Sequence, residues 1–233
     1  MCVRYTFHRP AEALAAIAAA LARKLAPLPD WAKPRFNVTL THIVPVVASG
    51  TEGPEVRGMV WGLVPFYERG KPQRRMLPNA KAETAASLTA FKQGVARRRC
   101  LVPANGFYEW QSTGKLKLPH LFTLKNEEPF SFAGIWEPPE DDTPGTFGIL
   151  TTAPNDLVAP IHNRMPVILT ADSMPRWLGS EPLPEDEYRK LTQPLPAERM
   201  QERPVSRYVS NSRNEGPKCH EPPETGPPEL ALG

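Results

Sequence analysis

Proline sets the first limit on this chain. It takes 29 of 233 positions, and the prolines recur between short apolar runs rather than collecting in one linker. Each proline fixes φ and removes a backbone donor, which excludes it from helix interiors and from the middle of a hydrogen-bonded sheet. An extended, doubly wound parallel sheet is therefore disfavoured, and the apolar runs read as many short strands. Runs at 43–47, 57–64, 100–103, 106–111, 120–124, 130–136, 146–152, 165–169 and 204–209 have the apolar and aromatic content of strands. A helix is predicted over 10–25, with Pro10 at its start and Arg23 and Lys24 in its last turn. A second is predicted over 83–96, and two shorter ones over 171–178, broken near Pro175, and 185–191. Many short strands with few helices point to an α+β fold built on mainly antiparallel sheet. No internal repeat is visible.

An apolar fraction of 40% in 233 residues suffices for a buried core in one large domain or two small ones. The formal charge is only +3, so affinity for nucleic acid would have to come from a local cluster of cations. Arg69, Lys71, Arg74, Arg75 and Lys81 form one, followed by Lys92, Arg97, Arg98 and Arg99; a solvated surface is the plainer reading. Cysteines at 2, 100 and 219 match no metal-binding spacing, and their odd number argues against a disulfide framework. The Ala-rich segment 11–22 contains Glu12 and leads into Arg23 and Lys24, too short and too charged for a membrane span. A secretory signal is not expected either, so the expected place is the cytoplasm, or the nucleoid if the protein is bacterial. From about Asn211 onward large apolar residues are scarce, and the last ten residues are expected to be disordered.

Among residues able to do chemistry, Cys2 is set apart by position. Removal of Met1 would expose a thiol and an α-amine on one residue, and such a 1,2-aminothiol condenses with an aldehyde through a Schiff base to a thiazolidine. With an α-amine pKa near 7.7–8.0, roughly 10–15% is neutral and nucleophilic at pH 7. The plain alternative is a small residue following a start. His162, in Ile161-His162-Asn163-Arg164-Met165-Pro166, stands at a strand entrance, where it can exchange a proton while Arg164 holds a phosphate; a loop histidine without a role is the alternative. Glu109 lies among aromatics in Gly106-Phe107-Tyr108-Glu109-Trp110, where burial would raise its pKa, unless it is a rim carboxylate paired with a lysine. Asn79 precedes a helix and suits a turn cap.

These residues sit in ordered blocks: Cys2; Trp61-Gly62-Leu63-Val64-Pro65; Asn79-Ala80-Lys81-Ala82-Glu83-Thr84; Arg99-Cys100-Leu101-Val102-Pro103-Ala104-Asn105 running into 106–110; and 161–166. Together they resemble the SRAP family, the SOS response-associated peptidases. Arg35-Phe36-Asn37-Val38 and Pro204-Val205-Ser206 extend the resemblance over about residues 2 to 215. It implies one SRAP domain over 1–215, with a curved, barrel-like β core and flanking helices, and a Pro/Glu-rich tail over 216–233. It also implies a positively charged channel for single-stranded DNA containing abasic sites, and a thiazolidine crosslink between the N-terminal Cys and the ring-opened sugar.

By motif, the resemblance makes Cys2 the nucleophile. Asn79 would orient it or the sugar, Glu109 would move protons around the amine, and His162 would assist ring opening. Arg4, Asn79, Lys81 and Arg164 would contact the DNA backbone, with Trp61 and Tyr67 near the strand's path. A monomer without metal or cofactor is expected. The chain departs from the family pattern at Val3 (usually Gly), Lys81 (usually Arg), Tyr67 (commonly Trp) and Thr39-Leu40 (typically Ala-Pro). Lysine keeps the charge at 81 but loses the planar fork that grips a phosphate bidentately. Two other readings are a cysteine peptidase, minimally removing its own Met1, and a single-stranded DNA-binding module without covalent chemistry; the crosslinking reading leaves open an added lyase activity.

Overall fold

The structure is a computed structural model and describes residues 3–71, 73–114, 116–140 and 142–224. In chain order the elements are β1 (Tyr5–Phe7), α1 (Pro10–Ala20), β2 (Arg35–Val38), β3 (Ile43–Ser49), β4 (Pro54–Trp61), β5 (Asn79–Lys81), α2 (Ala82–Ala85) and α3 (Lys92–Arg97). They continue with β6 (Arg99–Ala104), β7 (Gly106–Thr113), β8 (Leu116–Leu124), β9 (Phe130–Glu137), β10 (Thr146–Thr152), β11 (Met165–Pro166) and β12 (Ile168–Leu169). The last are α4 (Met174–Leu178), α5 (Glu185–Leu191) and β13 (Met200–Pro204), with short 3₁₀ turns between elements and at Pro217–His220.

The strands form two sheets. One is antiparallel throughout, in the order β13-β8-β7-β1-β2. In the other, β10-β4-β3-β6-β9 closes on itself because β9 also pairs with β10, and β5, β11 and β12 are added at its margins. This closed ring is the barrel-like core that the family resemblance implied. It is mainly antiparallel, the exceptions being β10 against β4 and β5. Proline shapes it. β3 and β6 pair at Val47 with Leu101 and Ala48 with Cys100; continued, that register would oppose Pro45 to Pro103, neither of which has an N–H to give, and the ladder stops short of them.

Between the sheets lies the main core, including Tyr5, Phe7, Trp61, Phe107, Phe122, Phe132 and Phe147. Tyr5 meets Trp61 and Phe132 edge to face, 5.2 and 5.6 Å between centroids, while Phe107 stacks on Phe122 and Trp61 on Phe147. On the outer face of the barrel, Leu14 and Ile17 of α1 and Trp177 of α4 pack over Val47, Leu101 and Ile135. Arg99 fastens this layer. Its buried guanidinium donates to the carbonyls of Val95, Ala96, Trp177, Gly179 and Glu181. On the outer face of the five-stranded sheet, Tyr108 and Leu121 are covered by Val205, Val209 and Cys219.

The structure corrects several expectations. The first helix ends at Ala20 rather than 25, because Ala22 turns to φ 48° and Arg23 N–H returns to the Ala18 carbonyl, a left-handed C-terminal lock. The helix predicted over 83–96 is two helices separated by turns, in which Ser87 donates its hydroxyl to the Thr84 carbonyl. The run at 204–209 is the end of β13 followed by a 3₁₀ turn that Ser206 caps through the Tyr208 N–H. A boundary at 216 falls inside packed chain, since Cys219 is fully buried and the His220 ring lies against His8 and Phe36. Apart from Glu224, the last ten residues lie outside the described residues.

Candidate active site

β1 delivers the start of the described chain to β7. Tyr5 opposes Phe107, and the Tyr108 N–H donates to the Arg4 carbonyl at 3.1 Å. The next residue on β7 is Glu109. Side chains alternate along a strand, so Glu109 shares the inter-sheet face with Phe107 and lies beyond the aromatic core. It is 3% exposed, and burial pushes its carboxyl up to about 7, into the range of a group that both gives and takes a proton near neutrality. Met1 and Cys2 lie outside the described residues.

His162 arrives from the connection between β10 and β11. Asn155 accepts from Val158 N–H through its side-chain oxygen, and His162 N–H donates to the Val158 carbonyl, so this connection is wound into tight turns that fix the imidazole. Its Nδ1 lies 3.8 Å from Glu109 Oε1, and both the N–H and the carbonyl oxygen of Arg164 are within hydrogen-bond reach of it, at 3.0 and 2.9 Å. Burial lowers the His162 pKa, which keeps the ring neutral at pH 7. A separation of 3.8 Å is too long for a direct hydrogen bond, but one substrate oxygen fits within reach of both groups.

Asn79 and Lys81 flank Ala80 on β5, held parallel to β10 by pairings with Ile149 and Thr151. Arg164 joins the same edge. Its fork is closed on Glu83 at 2.7 and 2.8 Å, an ion pair that lowers the Glu83 pKa, and it also donates to the Thr151 carbonyl. Arg4 is tied to Asn37 Oδ1 at 2.9 Å and to the carbonyls of Val209 and Ser210, with its guanidinium 5.9 Å from the Trp110 ring. Asn37 is fully buried and organises that corner by donating to the carbonyls of Val209, Asn211 and Asn214.

Thus Glu109 and His162 come together, with Asn79, Lys81 and Arg164 along one neighbouring edge. Trp61 does not join them. Its ring is fully buried between Tyr5 and Phe147 and its indole N–H donates to the Pro78 carbonyl, so it offers no face to a nucleobase. The exposed aromatics of this region are Tyr67 and Phe66, edge to face at 5.4 Å, with Lys71 Nζ 5.9 Å from the Tyr67 ring. The basic cluster is also thinner than the sequence suggests: Arg69 and Arg98 both bind buried Glu137, and Arg99 is interior.

Sequence reasoning missed His120 and Glu202. His120 stands directly opposite Glu109 on β8, and Glu202 of β13 is hydrogen-bonded to it. The signal was the hairpin register around Gly114, whose φ of 61° marks the turn. The remaining thiols, Cys100 and Cys219, are buried; burial raises both, Cys219 to about 11, and leaves them poor nucleophiles. Among the described residues no group of three or more His, Cys, Asp or Glu side chains is placed to hold a metal ion, and no helix is long and apolar enough to cross a membrane.

The family model for SOS response associated peptidase (SRAP) matches residues 1–212. The chain belongs to the SRAP family. It is 33% identical over 192 residues to the abasic site processing protein YoqW of Bacillus subtilis, covering 81% of this chain and 86% of that one. It is 34% identical over 198 residues to the abasic site processing protein HMCES of Gallus gallus, covering 73% and 58%. A crystal structure of a protein from Bacteroides thetaiotaomicron superposes on this SRAP chain with a TM-score of 0.81 at 28% identity, covering 95% and 99%.

Proposed function

We propose that this SRAP protein processes abasic sites in single-stranded DNA by crosslinking to them through Cys2 once Met1 is removed. The observation that carries the reading is the pairing of Glu109, buried and pushed up to about 7, with His162 Nδ1 at 3.8 Å, beside the strand that leads back toward residue 2. The relatives named for abasic site processing support the substrate class. Neutral His162 takes the proton of the C1′ hydroxyl and returns it to O4′ as the C1′–O4′ bond breaks, so the sugar opens to its aldehyde with no net proton change. The neutral α-amine of Cys2 adds to that aldehyde, and one N–H proton passes to the new alkoxide oxygen, giving a carbinolamine.

Glu109 in its acid form then protonates the carbinolamine hydroxyl. The C–O bond breaks, water leaves, the nitrogen lone pair forms the C=N bond, and Glu109 is left as carboxylate. Addition of Sγ to the iminium carbon closes the thiazolidine and releases the thiol proton, so the net products are the ring and one water. Lys81 and Arg164 hold the phosphates flanking the lesion, and Tyr67 with Phe66 offers a stacking surface; the protein acts as a monomer.

The test is an oligonucleotide carrying one abasic site, with intact-mass analysis of the protein before and after mixing. The expected result is loss of Met1, a heat-stable adduct with loss of one water, and no adduct with Cys2→Ala. An adduct that persists in Cys2→Ala overturns the reading. Cleavage of unrelated peptides without an adduct favours a peptidase, and salt-sensitive binding alone favours a passive DNA-binding module.

A further inference from the structure

The β7–β8 hairpin sets His120 directly across from Glu109. Opposed residues of an antiparallel pair project from the same face with Cβ atoms about 5 Å apart, so the two side chains are neighbours. β13 adds Glu202, whose Oε1 is hydrogen-bonded to His120 Nδ1. Side-chain exposure falls along this row, from 23% at Glu202 through 12% at His120 to 4% at Glu109. At its inner end His120 Nε2 and Glu109 Oε1 are both buried, and neither makes a hydrogen bond. Leaving such atoms without a partner costs about 1–3 kcal/mol each, and two of them on directly opposed residues leave room for a bridging water between them. The contact of Nδ1 with Glu202 leaves Nε2 as the ring atom on the Glu109 side.

We propose that Glu202, His120 and Glu109 form a proton relay that connects solvent to the buried carboxyl, with a water bridging His120 Nε2 and Glu109 Oε1 and His120 acting as a positioning residue. The relay rests on the role of Glu109 argued above. Dehydration of the carbinolamine consumes the Glu109 proton, and DNA lying over His162 closes the other route to solvent. As Nδ1 of His120 receives a proton from the Glu202 side, Nε2 passes one through the water to the Glu109 carboxylate. When Sγ closes the ring, the thiol proton returns to His120 and the count balances.

Among the described residues, the titratable side chains around Glu109 are His120 from β8, Glu202 from β13 behind it and His162 before β11. Arg4 on the neighbouring strand is turned to Asn37 and Val209, and Arg203 to the His220 carbonyl, both on the opposite face.

The experiment follows the side-chain carbon of Glu109 by NMR across a pH titration of DNA-free protein, for wild type, His120→Phe and Glu202→Gln, and measures adduct formation in parallel. The expected result is a Glu109 midpoint displaced by about one pH unit in both variants, since each removes a charge or dipole within one or two side chains of the carboxyl. Adduct formation should slow about tenfold in both, with wild-type melting temperature and DNA affinity retained in Glu202→Gln. Superimposable Glu109 titrations in all three proteins overturn the relay. Wild type that forms no adduct overturns the proposed function instead, and the titration of the free protein still decides the relay.

Discussion

His162 Nδ1 lies 3.8 Å from Glu109 Oε1, and burial drives both groups toward neutrality: the carboxyl is raised to about 7 and the imidazole is lowered. A neutral acid beside a neutral base is the state that dehydration of a carbinolamine requires at its start. Adduct formation is therefore expected to hold its maximal rate below about pH 7 as far as Glu109 is concerned, and to fall as that carboxyl ionises above it. Glu109→Gln should slow the adduct about 100-fold and flatten this alkaline limb while DNA binding is kept. A rate-against-pH series on the abasic oligonucleotide checks both; an alkaline limb that survives in Glu109→Gln assigns it to another group.

The same shift has a sign for stability. A carboxyl whose folded pKa lies above its unfolded value binds more protons in the native state. Stability is then lost as pH rises from about 4.5 to about 7. Over that window wild type should lose roughly 3 kcal/mol that Glu109→Gln does not lose, as an upper bound. Urea midpoints of the two proteins at acid and alkaline pH measure the difference. Equal pH slopes would mean the carboxyl is not held in its neutral form.

Much of this site was legible in the sequence, and the limits were physical. Glu109 stood out because an acid among aromatics on a strand has few places to go but a buried one, and His162 because a polar triplet before Pro166 marks a strand entrance. His120 stayed hidden because its importance lies in register, a pairing that a strand pattern alone does not display. Trp61 was misread because an aromatic in a motif looks alike whether it stacks on a ligand or fills a core; only its neighbours Tyr5 and Phe147 decide. β1 and β5 have three residues each, too few for an alternating pattern, and β1 finds β7 about 100 positions away. The helix expected over 83–96 has good local propensity, but its break falls between Ala85 and Lys92, where Ser87 turns its hydroxyl back to the Thr84 carbonyl.

Tyr67 and Trp61 make a contrasting pair. Tyr67 is 42% exposed, whereas Trp61 is fully buried with its N–H bonded to the Pro78 carbonyl. Tyr67→Ala should weaken single-stranded DNA binding by about 1–3 kcal/mol with little change in stability. Trp61→Phe should do the reverse, lowering stability by about 1–3 kcal/mol through a lost hydrogen bond and a smaller ring. Fluorescence anisotropy with an oligonucleotide and denaturant melts separate the two. A loss of DNA affinity confined to Trp61→Phe would reverse the assignment.

Arg99 tests the division between cations that build the fold and cations that meet DNA. Its guanidinium donates to five carbonyls at the ends of α3 and α4, so Arg99→Met strands those acceptors in the interior. A loss of roughly 3 kcal/mol is expected, with the salt dependence of DNA binding unchanged at temperatures where the variant is folded. A decrease in the salt slope would instead place Arg99 at the DNA.

Glu83 holds the Arg164 fork at 2.7 and 2.8 Å, and a guanidinium engaged by a carboxylate is not available to a phosphate. Bound DNA must compete with Glu83 for it. Glu83→Gln removes the competing charge while keeping the side chain's size, so single-stranded DNA should bind more tightly. If Arg164 then neutralises one phosphate more fully, the slope of log affinity against log salt should steepen by about 0.7. Glu83→Gln combined with Arg164→Gln should return the slope to the wild-type value or below it. Binding isotherms at several salt concentrations for the three proteins decide the matter: an unchanged slope in Glu83→Gln would show that Arg164 remains a structural clamp between α2 and β10 when DNA is present.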